Sequence, residues 1–217
     1  MPYDLKGRNV LITGGSSSEA AASDLAKAIE EEYGVKTTTV KADVGVTAEC
    51  ERCVQETIKN LGGLDILIGN AGYTKFTTDF GDLDALSEQD WDKCWAVNVK
   101  GKLALMRAVA PTFRANPEGG VFLITSSVAL HLMKCLATSQ GEKVRINAVL
   151  PGLLLTDWGN LYGEERIKAL KDHAALKKET DLQDCANAFV MLAKNTSITG
   201  AKIQVGKQAS SLSEVKG

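Results

Sequence analysis

The sequence predicts one α/β domain, with a doubly wound, mostly parallel sheet flanked by helices on both faces. Short apolar runs alternate with amphipathic helical stretches along the whole chain. Most of these runs (NVLIT, LDILIG, VFLIT, INAVL) are almost continuously apolar, which is typical of strands buried on both faces of a parallel sheet. Strands and helices that alternate through short joints imply right-handed crossovers. A chain of 217 residues suits a single domain spanning 1–217.

The individual elements follow from the same two periodicities. The apolar runs predict strands at Asn9–Thr13, Thr37–Lys41, Leu64–Gly69, Gly120–Ser126, Val144–Leu150 and Ala201–Val205. The amphipathic stretches predict helices at Ser18–Tyr33, Ala48–Leu61, Glu88–Arg114, Leu130–Ser139 and Leu182–Ala193. Open parallel sheets bind ligands at the carboxyl ends of their strands, so functional residues are expected just after each strand.

Composition excludes several classes of function. The net charge of −2 gives no basic surface for nucleic acid or an anionic membrane, and no apolar run reaches 18 residues. Five cysteines, with no secretory leader visible at the start, predict reduced thiols and a cytoplasmic protein. Cys50 and Cys53 form a C-x-x-C without a second pair, so we interpret them as helix thiols and expect no metal site.

Polar and glycine-rich motifs follow the strands in order. They are Thr13-Gly14-Gly15, Asp43-Val44, Gly69-Asn70-Ala71-Gly72, Val97-Asn98-Val99-Lys100-Gly101, Ser126-Ser127-Val128-Ala129, and Pro151-Gly152 followed by Thr156. Each has an ordinary structural explanation by itself, as a turn or a helix cap. Their order, each at the end of its own element, is what favours a binding site.

This ordered set resembles the short-chain dehydrogenase/reductase family, over about Lys6 to Val205. The resemblance implies a Rossmann-like fold and an NAD(P)-dependent oxidoreductase, such as a ketone or 3-oxoacyl reductase. Such an enzyme transfers hydride between the nicotinamide and a small carbonyl or alcohol substrate. The resemblance favours NADP(H) over NAD(H) as the cofactor, and a homotetramer or homodimer as the assembly. The implied catalytic residues are Ser127 and Asn98. The implied cofactor-binding residues are Thr13, Gly14, Gly15, Asp43, Val44, Asn70, Ala71, Gly72, Pro151, Gly152 and Thr156.

Residues 156–176 are the expected lid over the substrate. Trp158, Leu161 and Tyr162 would supply its apolar wall, with Tyr73 and Phe76 opposite. The long helix Glu88–Arg114 carries apolar residues on more than one face, which favours subunit contact.

The sequence departs from the family pattern at the proton donor. The family places a Tyr about a dozen residues after the active-site Ser and a Lys four residues later. None of Tyr3, Tyr33, Tyr73 or Tyr162 falls in that window. Instead, Ala129 runs directly into LHLMKCLATSQ. The alternative function is therefore a non-catalytic binding or scaffold protein that has kept the fold without the Tyr/Lys pair.

The glycine-rich turn is also shortened. Ser16-x-x-Glu19 predicts a capping box that starts a helix, where the family has two further glycines and another strand. A carboxylate at that helix start repels a pyrophosphate. The spacing suggests residues missing at about 15–19 and 129–130. We favour their omission from the sequence over a true deletion, which would remove an interior strand and half of the catalytic helix.

Overall fold

The computed structural model describes residues 3–14, 18–75, 77, 82, 84–126 and 128–206. In this part of the chain, five parallel strands form one sheet in the order β1-β2-β3-β4-β5. Their bounds are β1 Val10–Ile12, β2 Ile66–Gly69, β3 Gly120–Thr125, β4 Val144–Pro151 and β5 Lys202–Val205. The parallel α/β sheet is as predicted.

Helices connect and flank these strands. Their bounds are α1 Glu19–Tyr33, α2 Thr47–Leu61, α3 Glu88–Trp95, α4 Gly101–Ala115, α5 Leu130–Gln140, α6 Asp157–Asn160, α7 Glu164–His173 and α8 Leu182–Lys194. The predicted helix Glu88–Arg114 is interrupted by a π-helical segment, Ala96–Lys100, between α3 and α4. None of the described helices is long and apolar enough to cross a bilayer.

Both faces of the sheet are covered, which explains the almost continuously apolar strands. One core cluster packs β2–β4 against α2, α4 and α5, with Phe113, Phe122 and Met133 fully buried. The second packs the opposite face of the strands against α8, where Leu192 is fully buried. Consecutive β3 residues therefore alternate between two cores, and every residue from Gly120 to Ile124 is buried.

The strand predicted at Thr37–Lys41 is wrong. This segment lies along α2, where Asn60 Nδ2 donates to Thr38 Oγ1 at 3.0 Å and the Arg52 guanidinium donates to the Lys41 carbonyl. A strand needs a neighbour for its N–H and C=O groups. No described strand lies on the free side of β1, which is an edge of the sheet with Ile12 54% exposed. The residue pattern is typical of a strand, but the described part of the chain provides no neighbouring strand for this segment.

The predicted capping box at Ser16 is also wrong. The N-cap of α1 is Ser18, whose Oγ accepts from Ala21 N at 3.2 Å. Glu19 faces Lys41 in an exposed ion pair with an N–O distance of 3.5 Å. The helix begins at Glu19, so the residue directly before it takes the capping position. No residue of α1 is buried, and the helix contributes nothing to either core.

Candidate active site

The first two strands end in turns that contact each other closely. Thr13 is buried, and its Oγ1 accepts a hydrogen bond from Ala71 N at 3.1 Å. Gly14 has a φ of +71°, and a Cβ on it would lie 2.6 Å from the Ala71 Cα. Only glycine allows both this backbone conformation and this approach. Four of the predicted cofactor-binding positions, Thr13, Gly14, Ala71 and the neighbouring Asn70, therefore form one unit.

Asn70 connects three strand ends through its side chain. Its Nδ2 donates to the Gly14 carbonyl at 3.3 Å, and its Oδ1 accepts from Thr125 Oγ1 at 2.9 Å. The side-chain amide thus bonds the ends of β1 and β3 to the end of β2. Thr125, which sequence reasoning missed, completes this connection; the signal was a hydroxyl residue directly before the Ser-Ser pair.

Asn98 is held at the same edge by the π-helical segment. Its Oδ1 accepts from Tyr73 N at 2.9 Å, while its Nδ2 donates to Tyr73 O at 2.6 Å and to Cys94 Sγ at 3.1 Å. Single-turn π segments within α-helices frequently occur at functional sites. Here the segment holds the Asn98 side chain against the backbone that follows Gly72.

Asp43 and Val44 lie on a loop beside this helix. Asp43 is exposed, with its Oδ1 accepting from Gly45 N at 2.8 Å. Val44 packs against the first core cluster, and a Cβ on Gly101 would lie 2.4 Å from its carbonyl oxygen. The close approach at Gly101 fixes the loop against the start of α4.

Beyond β4, Pro151 and Gly152 continue the strand edge. Gly152 N donates to Val205 O at 2.7 Å, and a Cβ on Gly152 would lie 2.6 Å from Thr180 Oγ1. Thr156 caps α6, where its Oγ1 accepts from Gly159 N at 3.2 Å. Pro151, Gly152 and Thr156 thus lead directly from the sheet into the segment predicted as a lid.

The predicted lid contains two short helices, α6 and α7, and contacts the turn after β2. Trp158 lies next to Gly72, where a Cβ would be 3.6 Å from the Trp158 Cη2. An Arg166 Nη1 donates to Thr77 O at 3.4 Å. Trp158 and Leu161 are 52% and 64% exposed, so their apolar surface is uncovered, as a substrate wall requires. Phe76 lies outside the described residues.

Two predicted site residues, Gly15 and Ser127, also lie outside the described residues. The neighbouring Ser126 is described, and its Oγ accepts from Ala129 N at 2.8 Å. From Ala129 the chain enters α5 without interruption, because Met133 N donates to Ala129 O at 2.9 Å. No Tyr-x-x-x-Lys stands between Ser126 and α5 in this chain.

Lys102 is the unexpected residue of the site. It is 2% exposed on α4, one turn after Asn98, and its Nζ donates to the Ala71 carbonyl. Burial lowers the pKa of the Lys102 ammonium to about 8. Sequence reasoning missed Lys102, although it precedes the apolar Leu105 and Met106 at helical spacing on the buried stripe of α4.

The two cysteines of the C-x-x-C are both buried on α2. Desolvation raises the pKa of Cys50 to about 11 and also raises that of Cys53. Both thiols are therefore protonated near neutral pH, which does not favour redox or metal chemistry. The described part of the chain has no group of three or more His, Cys, Asp or Glu side chains placed to hold a metal ion.

The strand-end residues fit a dinucleotide cofactor. Gly72 leaves an open cradle, where a Cβ would find no neighbour closer than 3.5 Å. By the resemblance stated above, Asp43 and Val44 are the residues expected at the adenine, the turns of Gly14 and Ala71 at the central part, and Thr156 at the nicotinamide carboxamide.

Comparison with known proteins agrees with this arrangement. The family model of the short chain dehydrogenases matches residues 3–137, and the model described as enoyl-(acyl carrier protein) reductase matches 128–207. The chain belongs to the short chain dehydrogenase family. Members of this family are NAD(P)-dependent oxidoreductases, and the similarity extends over most of the chain.

Curated relatives show the same coverage. The NADP-dependent mannitol dehydrogenase of Alternaria alternata is 30% identical over 211 residues, which are 88% of this chain and 77% of the relative. The dehydrogenase/reductase SDR family member 4 of Bos taurus is 32% identical over 213 residues, 88% of this chain and 75% of the relative.

Solved structures confirm the fold. A short chain dehydrogenase from Burkholderia cenocepacia J2315, in complex with NADP, has a TM-score of 0.85 at 23% identity; the match covers 96% of this chain and all of that one. A 7α-hydroxysteroid dehydrogenase, complexed with NADH, has a TM-score of 0.76 at 26% identity, covering 86% of this chain and 82% of that one. The NADP dependence of the mannitol dehydrogenase and the NADP bound to the Burkholderia structure favour NADP, although the 7α-hydroxysteroid dehydrogenase carries NADH.

Proposed function

We propose that this chain is an NADP(H)-dependent oxidoreductase that acts on a small carbonyl or alcohol. The observation that carries the proposal is the close packing of Thr13, Gly14, Asn70 and Ala71 at the carboxyl edge, beside an Asn98 locked onto Tyr73. This edge is where parallel α/β sheets bind dinucleotides.

Each site residue has a role in this proposal. The cofactor supplies or accepts the hydride when it is bound. Ser127 orients and polarises the substrate oxygen, and Asn98 holds a water molecule beside it. Trp158 and Tyr73 close the substrate side. In the reduction of a carbonyl, hydride adds to carbon and a proton must reach the oxygen. The first Tyr after Ser127 is Tyr162, which lies in the lid segment and far outside the family's window, so in a chain of this sequence that proton comes from solvent water.

A second function is favoured by one specific observation, which is the direct passage from Ala129 into α5. Without the Tyr/Lys pair, the fold could bind a dinucleotide and serve as a binding or scaffold protein. A positioned general acid contributes roughly 10²–10⁴-fold to the reaction rate. A chain without one can therefore bind the cofactor and still turn over little or no substrate.

The two functions differ in a measurement on the purified natural protein. Intact mass spectrometry first determines whether the polypeptide has the 23.2 kDa of this sequence or carries further residues near 15–19 and 129–130. NADPH binding is then followed by fluorescence, and turnover of a panel of ketones and quinones by nicotinamide absorbance. We expect NADPH binding together with slow turnover.

Each contrary outcome has a definite meaning. Binding without turnover, at a mass of 23.2 kDa, would establish the scaffold function. A protein that binds neither NADPH nor NADH would contradict both functions.

We further propose that the chain assembles through α4 and α5, as a homotetramer in the first place and as a dimer in the second. A groove of about 340 Å³ lies between these helices. Its lining is Leu103, Met106, Arg107, Ala110, Pro111, Arg114, Leu136 and Gln140. A two-fold axis along such a groove pairs the same patch of both subunits.

Leu103→Asp is therefore expected to convert the oligomer into monomers, because Leu103 is 37% exposed in this groove. Light scattering over a dilution series measures the change. The matched control is Leu161→Asp, which places the same charge on an exposed leucine of the lid and should leave the assembly intact. A parent protein that is monomeric at all concentrations would refute the proposal.

A further inference from the structure

Lys102 is a buried amine whose hydrogen-bond acceptor among the described residues is the Ala71 carbonyl. Among the described residues it makes no salt bridge with a carboxylate. A protonated lysine has three N–H donors, so the Ala71 carbonyl satisfies only part of its capacity. Buried lysines are rare unless they are paired, which makes this position one that needs a functional explanation.

The surrounding chain is built to admit the lysine. A Cβ on Gly69 would lie 3.1 Å from the Lys102 Cδ and 3.3 Å from the Phe122 ring, so a glycine leaves the room that the side chain needs. The titratable group facing it is the Cys50 thiol on α2, and that thiol is protonated near neutral pH. Within the described part of the chain, the ammonium thus lies in a mostly apolar environment without a permanent counter-charge.

Its position relative to the cofactor cradle is the informative feature. Lys102 holds the carbonyl of Ala71, the same residue whose N–H bonds to Thr13 and whose Cα packs on Gly14. The ammonium therefore lies under the contact between the two turns that would receive the dinucleotide. A bound dinucleotide brings phosphate anions to these turns, and negative charge favours the protonated amine.

We propose that Lys102 is a positioning residue that couples cofactor binding to the uptake of one proton. The inference rests on the proposed NADP(H) binding. Protonated Lys102 fixes the Ala71 turn against Gly14 and offsets the phosphate charge; the neutral amine does this less well. Because burial places the Lys102 pKa near 8, the free protein loses this proton at mildly alkaline pH and regains it when the cofactor binds.

The coupling is measured by isothermal titration calorimetry of NADP⁺ at about pH 8.5, in two buffers that differ in ionisation enthalpy. The second ionisation of the cofactor's phosphate monoester, near pH 6, is complete at that pH. We expect the parent protein to take up at most about three-quarters of a proton, because roughly a quarter of Lys102 is still protonated at that pH, and its affinity to fall up to about tenfold per pH unit above pH 8. Lys102→Met should abolish both effects, whereas Lys100→Met, at an exposed lysine, should keep them.

Lys102→Gln separates charge from hydrogen bonding, because its amide can still donate to a carbonyl but does not titrate. Binding by this variant without proton uptake supports the role of the charge. Thermal melting supplies a second readout. A buried lysine with a lowered pKa destabilises the fold below that pKa, and the penalty fades as pH rises toward 10.5. Lys102→Met should therefore melt at a higher temperature than the parent at pH 7, with a smaller gain at pH 10.

Two results would overturn the inference. Proton uptake that persists undiminished in Lys102→Met would show that another group titrates, while the proposed cofactor binding would stand. A parent protein that binds no dinucleotide would overturn both this inference and the proposed function.

Discussion

Gly14→Ala should lower the free energy of unfolding by about 2–5 kcal/mol and abolish NADP(H) binding. The left-handed backbone at Gly14, with a φ of +71°, costs a residue with a Cβ about 1–2 kcal/mol. The added Cβ would also lie 2.6 Å from the Ala71 Cα, and backbone must move to relieve that overlap. Overpacking of this kind typically costs about 1–3 kcal/mol. Movement at Ala71 would disturb the Thr13 and Asn70 contacts that form the cradle.

A matched glycine isolates the steric part of this effect. Gly34, at the end of α1, has a φ of +63°, but a Cβ there would meet nothing within 4 Å. Gly34→Ala should therefore cost only the backbone term of about 1–2 kcal/mol and leave cofactor affinity unchanged. Denaturant unfolding and NADPH fluorescence measure both quantities. Equal losses in the two variants would show that the contact between Gly14 and Ala71 is not important.

The parallel sheet and both of its helical layers could be predicted because each depends on a local pattern. The run VFLIT is apolar at successive positions, and in the structure its residues alternate between the two core clusters. Similarly, the amphipathic stretch of α8 covers one face with Leu192 and Ala193 buried. Such burial follows from periodicity alone, and for β3 and α8 the predicted bounds differ from the observed ones by one residue at one end.

The irregular conformation of Thr37–Lys41 could not be predicted. Its β-branched residues are typical of a strand, but no neighbouring strand is described with which it could pair. Strand formation depends on a neighbour at a distant position, and local sequence does not report whether that neighbour exists. The π-helical segment at Asn98 is a similar case. Its extra residue per turn is stabilised by the tertiary contact between Asn98 and Tyr73, which no helical periodicity contains.

Within the site, the order of the strand-end motifs predicted which residues meet. Gly14, Asn70 and Ala71 are distant in sequence, yet they contact each other as the topology requires. The motifs did not predict that Lys102 belongs to the site, because a lysine on a helix is ordinarily interpreted as solvent-exposed. Its burial depends on the absence of a side chain at Gly69, which lies on β2 and not on the helix of Lys102.

Ser127→Ala should reduce kcat roughly a hundred- to thousandfold while leaving thermal stability and NADP(H) affinity nearly unchanged. A hydroxyl that donates to a developing oxyanion is typically worth about 2.7–4 kcal/mol of transition-state stabilisation. The resemblance assigns this role to Ser127, whereas the neighbouring Ser126 makes a structural contact. The Ser126 Oγ accepts the Ala129 N–H at 2.8 Å, in the turn that precedes α5.

Ser126→Ala is therefore the matched control, one residue away and with the opposite expectation. Loss of a hydroxyl that satisfies a backbone N–H near a helix start costs about 0.5–2 kcal/mol of stability. This variant should melt at a lower temperature but turn over substrate at a rate close to that of the parent. Both variants are compared with the parent on whichever ketone or quinone gives turnover. Ser127→Ala turning over at the parent rate would remove Ser127 from the reaction. Ser126→Ala losing kcat without losing stability would place the reacting hydroxyl at Ser126 instead.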